Sequence, residues 1–277
     1  MALKELLVVV DNDTACRSRL TTAFALAAEH GARVVGLHVM PPPFTPLYAD
    51  MPIPETMDTM QRLELEEAAR RAADLFDAAA AGSGVTTEWR VADGHAGREV
   101  TTHARYADLT IVPQGLELGS PSADLDALPE ELALAVGRPV LVIPRYGAFP
   151  AIGRRILVAW NGSREATRAV HDALPILTRA ERVTVLSIDP RVEPAGARLP
   201  GADIALYLAR DGATAQAASV EGADVAVGDL LLSYAADHDI DLIVMGAYGH
   251  TRLREMVLGG ATRSLLEQMT VPVLLSH

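Results

Sequence analysis

Residues 246–262 read Gly-Ala-Tyr-Gly-His-Thr-Arg-Leu-Arg-Glu-Met-Val-Leu-Gly-Gly-Ala-Thr, directly after the apolar run Ile240-Asp241-Leu242-Ile243-Val244-Met245. Glycine at 246 and 249 lets the backbone leave a strand sharply and approach a ligand closely. Gly259 and Gly260 open a helical pattern that runs to about Met269, and the first N–H groups of such a helix are unpaired donors for an anion. The chemistry this spacing suits is phosphate holding by backbone N–H groups, the helix dipole, the Thr262 hydroxyl and one of Arg252, Arg254 or Arg263. Equally, the glycines suit a tight turn with close helix packing and no ligand.

Lys4 is the sole lysine against 23 arginines. No glycine stands near it, so a Walker-type phosphate loop is excluded, as is lysine Schiff-base chemistry at an internal site. There is no Gly-x-Ser-x-Gly, His-Glu-x-x-His or Gly-x-Gly-x-x-Gly. His95 and His103 read as surface residues, and His250 borders the glycine loop facing solvent. Cys16, the one cysteine, excludes an internal disulfide and multi-cysteine metal sites, and reads as a small residue near a helix start. No catalytic residue is assigned.

The net charge is −12, which opposes binding to nucleic acid. Before the linker Tyr146–Gly153 stand 12 basic and 21 acidic residues, and after it 12 and 15, so the first half carries most of the excess. No apolar run approaches the roughly 18 to 20 residues needed to cross a bilayer, and the start of the chain is too soon interrupted for a secretory signal. A soluble, cytoplasmic protein is expected.

The elements that must position the loop occur twice. Leu6–Asp11 answers Arg155–Asn161 and Arg33–Val39 answers Arg182–Ile188, at offsets of 150 and 149. Ala107–Val112 answers Ile240–Met245, and Arg138–Ile143 answers Val271–Ser276, both at 133. Each run, rich in branched apolar residues, reads as a buried parallel strand. Fifth strands are expected at Thr86–Val91 and Ala213–Val220. Helical patterns lie between them, including Ser163–Arg179 with Ser163 as N-cap, and Val225–His238. Strand alternating with helix predicts an α/β fold of two tandem Rossmann-like, doubly wound domains, 1–146 and 154–277. Each has a five-stranded, mostly parallel sheet with helices on both faces. About sixteen extra residues in the first half fall in 41–82, a proline-rich surface excursion followed by a charged helix from about Glu55 to Ala81.

The spacing Gly246-x2-Gly249-x9-Gly259 at the end of a fourth strand, with the strand-to-helix start Ile156–Ser163, resembles the universal stress protein family. The resemblance covers both halves. It implies packing of the two domains through their last strands, Pro139–Ile143 against Pro272–Ser276, and, in one branch, adenine-nucleotide binding. An acidic residue ending the first strand then holds ribose and adenine, and an apolar residue of the second strand packs on the base. The glycine loop wraps the phosphates. Carried onto this chain, the base and sugar positions are Trp160, Asn161 and Ile188, and the phosphate loop is Gly246, Gly249, Gly259, Gly260 and Ala261, with Thr262 beside it.

This chain departs from the pattern. Asn161 stands where the family has aspartate, and Gly260 where a hydroxyl residue is expected. In the first half Pro113, Leu116, Asp126 and Ala127 fall opposite Gly246, Gly249, Gly259 and Gly260, with Asp124 and Asp126 repelling phosphate. Asp11 is retained there without a glycine loop, so the first domain is expected to be a degenerate copy. The expected function is a stress-response sensor or switch whose C-terminal domain binds ATP or a related adenine nucleotide, with Mg2+ and at most slow hydrolysis. The alternative is a nucleotide-free scaffold that pairs with itself, as a homodimer, or with other proteins.

Overall fold

A computed structural model describes residues 2–42, 55–115, 128–188, 201–221, 225–247 and 260–277; at 55–58, 260 and 261 only the backbone is described. The first copy runs β1 (Glu5–Val9), α1 (Cys16–His30), β2 (Arg33–Met40), α2 (Glu55–Ala80), β3 (Thr87–Asp93), α3 (Ala96–Ala104), β4 (Leu109–Pro113), α4 (Leu128–Ala135) and β5 (Val140–Ile143). In the second come β6 (Arg155–Ala159), α5 (Arg164–Leu177), β7 (Arg182–Ile188), α6 (Ala202–Arg210), β8 (Ala215–Val220), α7 (Val227–Asp237), β9 (Leu242–Gly246), α8 (Gly260–Gln268) and β10 (Val273–Ser276).

The ten strands form one sheet in the order β3-β2-β1-β4-β5-β10-β9-β6-β7-β8. Every described pairing is parallel except β5 with β10, where Val142 faces Val273, Leu141 faces Leu274 and Val140 faces Leu275. The two expected five-stranded sheets are thus halves of a single one, joined through their last strands. Alternation along each strand divides the core between the two faces. Leu6 and Val8 point to the face covered by α1, α2, α5 and α6, with Leu20, Phe76, Ala173 and Leu208 among its buried residues. Leu7 and Val9 point to the face of α3, α4, α7 and α8, with Val100, Leu132, Leu231 and Leu265.

One aspartate in each copy stands just before the fourth strand and pins the first. Asp108 Oδ2 accepts the N–H groups of Lys4 (2.8 Å) and Glu5 (3.1 Å). Asp241, 133 positions later, accepts those of Gly153, Arg154 and Arg155. Both aspartates stand at equivalent places in the repeated runs. The linker is docked as well: Thr22 on α1 donates to the Phe149 carbonyl at 2.7 Å. Among the described residues no helix is long and apolar enough to cross a membrane.

Candidate functional site

Strand order reverses between β1 and β4 in the first copy and between β6 and β9 in the second. In an open α/β sheet a ligand crevice lies at the carboxyl ends of such a strand pair. The second copy places Trp160–Ser163 and Gly246 there.

The turn out of β6 is built by three residues. Asn161 Oδ1 accepts the Ser163 N–H at 3.0 Å, and Gly162 between them adopts φ +71°, a left-handed conformation that favours glycine. Ser163 then caps α5, its Oγ accepting the Ala166 N–H at 3.1 Å. The strand therefore ends at Ala159, two residues short of the expected Asn161, because Asn161 closes this turn. Beside it, Glu165 is held below the usual carboxylate range, first by its backbone hydrogen bond and then by the nearby Arg164. The first turn of α5 lies directly on Gly246: a Cβ there would sit 2.5 Å from Glu165 C and Ala166 N. Close helix packing alone therefore demands glycine at 246.

Beyond β9, the Ala247 N–H donates to the Ser276 carbonyl at 2.8 Å, and His277 Nδ1 lies 2.9 Å from the Ala247 carbonyl. Ser276 Oγ donates to Asp172 at 2.6 Å, and Asp172 also takes Arg168 Nε at 2.8 Å. Helix α8 begins at Gly260, as the helical pattern predicted, and Thr262 is buried in its first turn. Gly249 and Gly259 lie outside the described residues, as do His250, Arg252 and Arg254. Nothing is described of the Ala261 side chain.

The residues expected to meet a base do not share a face. Ile188 packs with Ala159 on the α8 side of the sheet. Trp160 packs on the opposite side, its Cδ1 3.7 Å from where a Gly201 Cβ would stand.

The first copy repeats the turn but ties its carboxylate to a buried arginine. Asp11 Oδ1 accepts the Asp13 N–H at 3.1 Å, as Asn161 does for Ser163. Its Oδ2 takes Arg19 Nη2 at 2.7 Å, and Arg19 Nε donates to the Val9 carbonyl at 2.8 Å. Arg19 is 1% exposed, and 150 positions later stands buried Ala169. Asp13 also pairs with Arg145 at 3.2 Å. Arg19 escaped the residue-by-residue reading, since a lone arginine on a helix is ordinarily solvated; the offset that aligns it with Ala169 was the signal available. Of the degenerate loop positions only Pro113 is described, at the end of β4; Leu116, Asp124, Asp126 and Ala127 lie outside the described residues. Cys16 is fully buried and burial pushes its thiol pKa up, in keeping with a packing role.

Residues 2–114 and 153–277 each match the universal stress protein family. The chain belongs to that family. Universal stress protein Slr1230 of Synechocystis is 41% identical over 46 residues, a match spanning 17% of this chain and 16% of that protein's length. A universal stress protein from Archaeoglobus fulgidus is similar over nearly the whole of both chains: the TM-score is 0.72 at 17% identity, covering 98% of this chain and 95% of that one. A putative universal stress protein from Pseudomonas aeruginosa is similar with a TM-score of 0.59 at 18% identity, covering 99% and 93%. At these identities the structural likeness is one of fold.

Proposed function

We propose that the second copy of this universal stress protein, residues 154–277, binds ATP or a related adenine nucleotide at the carboxyl ends of β6 and β9. On this reading the chain is a nucleotide-responsive sensor or switch in a cytoplasmic stress response. The first copy, residues 1–146, contributes structure. One observation carries the reading: at the point where strand order reverses, β9 ends at Gly246 against the first turn of α5, the helix that follows the Asn161 turn, and α8 begins at Gly260. The donor set there fits an anion. It comprises backbone N–H groups at a helix start, an exposed amide at Asn161, and no carboxylate at the position where the first copy has Asp11.

In this assignment Asn161 meets the sugar and Ile188 lies under the base. The N–H groups of Gly249, Gly259, Gly260 and Ala261, with the Thr262 hydroxyl, hold the phosphates, with Mg2+ neutralising part of their charge when present. Gly246 lets α5 approach, and Trp160 packs beneath α6. The rival reading, a nucleotide-free scaffold, is favoured by Gly246, whose absent side chain is explained by helix packing alone.

Thermal unfolding separates the two. ATP with Mg2+ at about a hundred times its dissociation constant stabilises by roughly 2.7 kcal/mol and raises the melting temperature. Gly259→Asp removes that shift, while Asp126→Asn in the first copy preserves it. An unchanged melting temperature at millimolar nucleotide overturns the reading in favour of the scaffold.

A further inference from the structure

The two copies build one turn with two different chemistries. In both, a δ1 oxygen closes the chain onto an N–H two residues on: Asp11 onto Asp13 at 3.1 Å, Asn161 onto Ser163 at 3.0 Å. This bond fixes which way the Asn161 amide faces, because its nitrogen cannot accept from an N–H. The δ2 atom is what remains to meet a partner. In the first copy it is a carboxylate oxygen, which accepts, and it holds the guanidinium of Arg19. In the second it is Nδ2, which only donates, on a side chain exposed at the carboxyl end of β6. The helix position that delivers Arg19 in the first copy is Ala169 in the second, so no cation lies beneath Asn161 from that position.

We infer that Asn161 is a specificity-determining residue that favours a ligand presenting acceptor oxygens at the sugar: a nucleotide phosphorylated on the ribose 2′ or 3′ oxygen, in preference to one with a free diol. A carboxylate accepts hydrogen bonds from both hydroxyls of a free diol and repels phosphate. An amide N–H gains a charge-assisted hydrogen bond from a phosphoryl oxygen and only a neutral one from a hydroxyl. This inference rests on nucleotide binding by the second copy.

The test compares ADP with adenosine 2′,5′-bisphosphate and adenosine 3′,5′-bisphosphate by titration calorimetry on the full chain, since all three carry two phosphates. At least one bisphosphate binds about tenfold more tightly than ADP. Asn161→Asp keeps the δ1 oxygen that closes the turn and reverses that order; Asn161→Ala brings the ratio towards one. Equal or tighter binding of ADP by the unsubstituted protein, or a ratio unmoved by Asn161→Asp, overturns this inference and leaves nucleotide binding standing. Binding of none of the three, with no melting shift on ATP, overturns both.

Discussion

The guanidinium of Arg19 is enclosed by the Asp11 carboxylate and the Val9 carbonyl, which together satisfy Nη2 and Nε. A buried ion pair of this kind contributes little net stability over an apolar replacement, yet removing one partner strands the other charge. Asp11→Ala is therefore expected to lower the unfolding free energy by about 3–5 kcal/mol, read from urea denaturation. Asn161→Ala, which strands no charge, lowers it far less. Similar losses at the two positions would show that Arg19 does not depend on its partner. The pair also shows how far the site could be read from residue types alone. Asp11 and Asn161 were legible because strand, turn and spacing recur at an offset of 150. Arg19 was not, because its role is set by what surrounds it, and helix periodicity cannot tell a buried guanidinium from a solvated one.

Strands were legible as elements because branched apolar runs between turn residues leave few alternatives. Their ends were less so: β1 and β6 stop at Val9 and Ala159 because side chains at 11 and 161 capture the next turn, a tertiary outcome of local hydrogen bonding. Fusion of the sheets through β5 and β10 came from family resemblance, since two short apolar strands carry no mark of the partner they pair with. The helix ends bring a consequence of their own. In the last turn of α1, His30 Nε2 is buried with no hydrogen-bond partner, and Arg179, just beyond α5, donates to the Glu29 carbonyl beside it at 2.8 Å. Burial, with Arg179 nearby, lowers the His30 pKa, and Glu29 opposes this weakly. The unfolded imidazole, with a value of about 6.5, therefore binds protons that the folded one refuses. Stability from this group is complete above that value and is lost as pH falls below it. Between pH 7.5 and 5 the melting temperature should fall less for His30→Gln than for the unsubstituted protein. His103 is also lowered by burial and shifts both proteins alike, so equal falls would remove His30 as a cause.

At the scale of the molecule, the contacts that cross between copies are numerous in kind. Beyond the β5–β10 ladder, the Gln114 amide at the end of β4 donates to the carbonyls of Leu266 (2.8 Å) and Glu267 (3.1 Å) at the end of α8, and its oxygen accepts the Arg145 N–H. Arg168 of α5 donates to the Gly137 carbonyl after α4 at 2.9 Å. Each copy thus holds carbonyls that end a helix of the other, with the fully buried strands β5 and β10 between them. Separating the copies would expose both strands to water and leave those carbonyls without these partners, a loss that neither copy's own contacts replace. The chain is therefore expected to unfold as one cooperative unit despite its internal repeat. Its two tryptophans supply the readout, with Trp89 on β3 in the first copy and Trp160 after β6 in the second. In urea, the fluorescence transitions of Trp160→Phe and Trp89→Phe proteins, each corrected to its own circular-dichroism midpoint, should coincide with the loss of helix. Gln114→Leu should move both midpoints down together. Tryptophan signals that separate, or a shift confined to one of them, would mean that the ladder between β5 and β10 joins two independently folding halves.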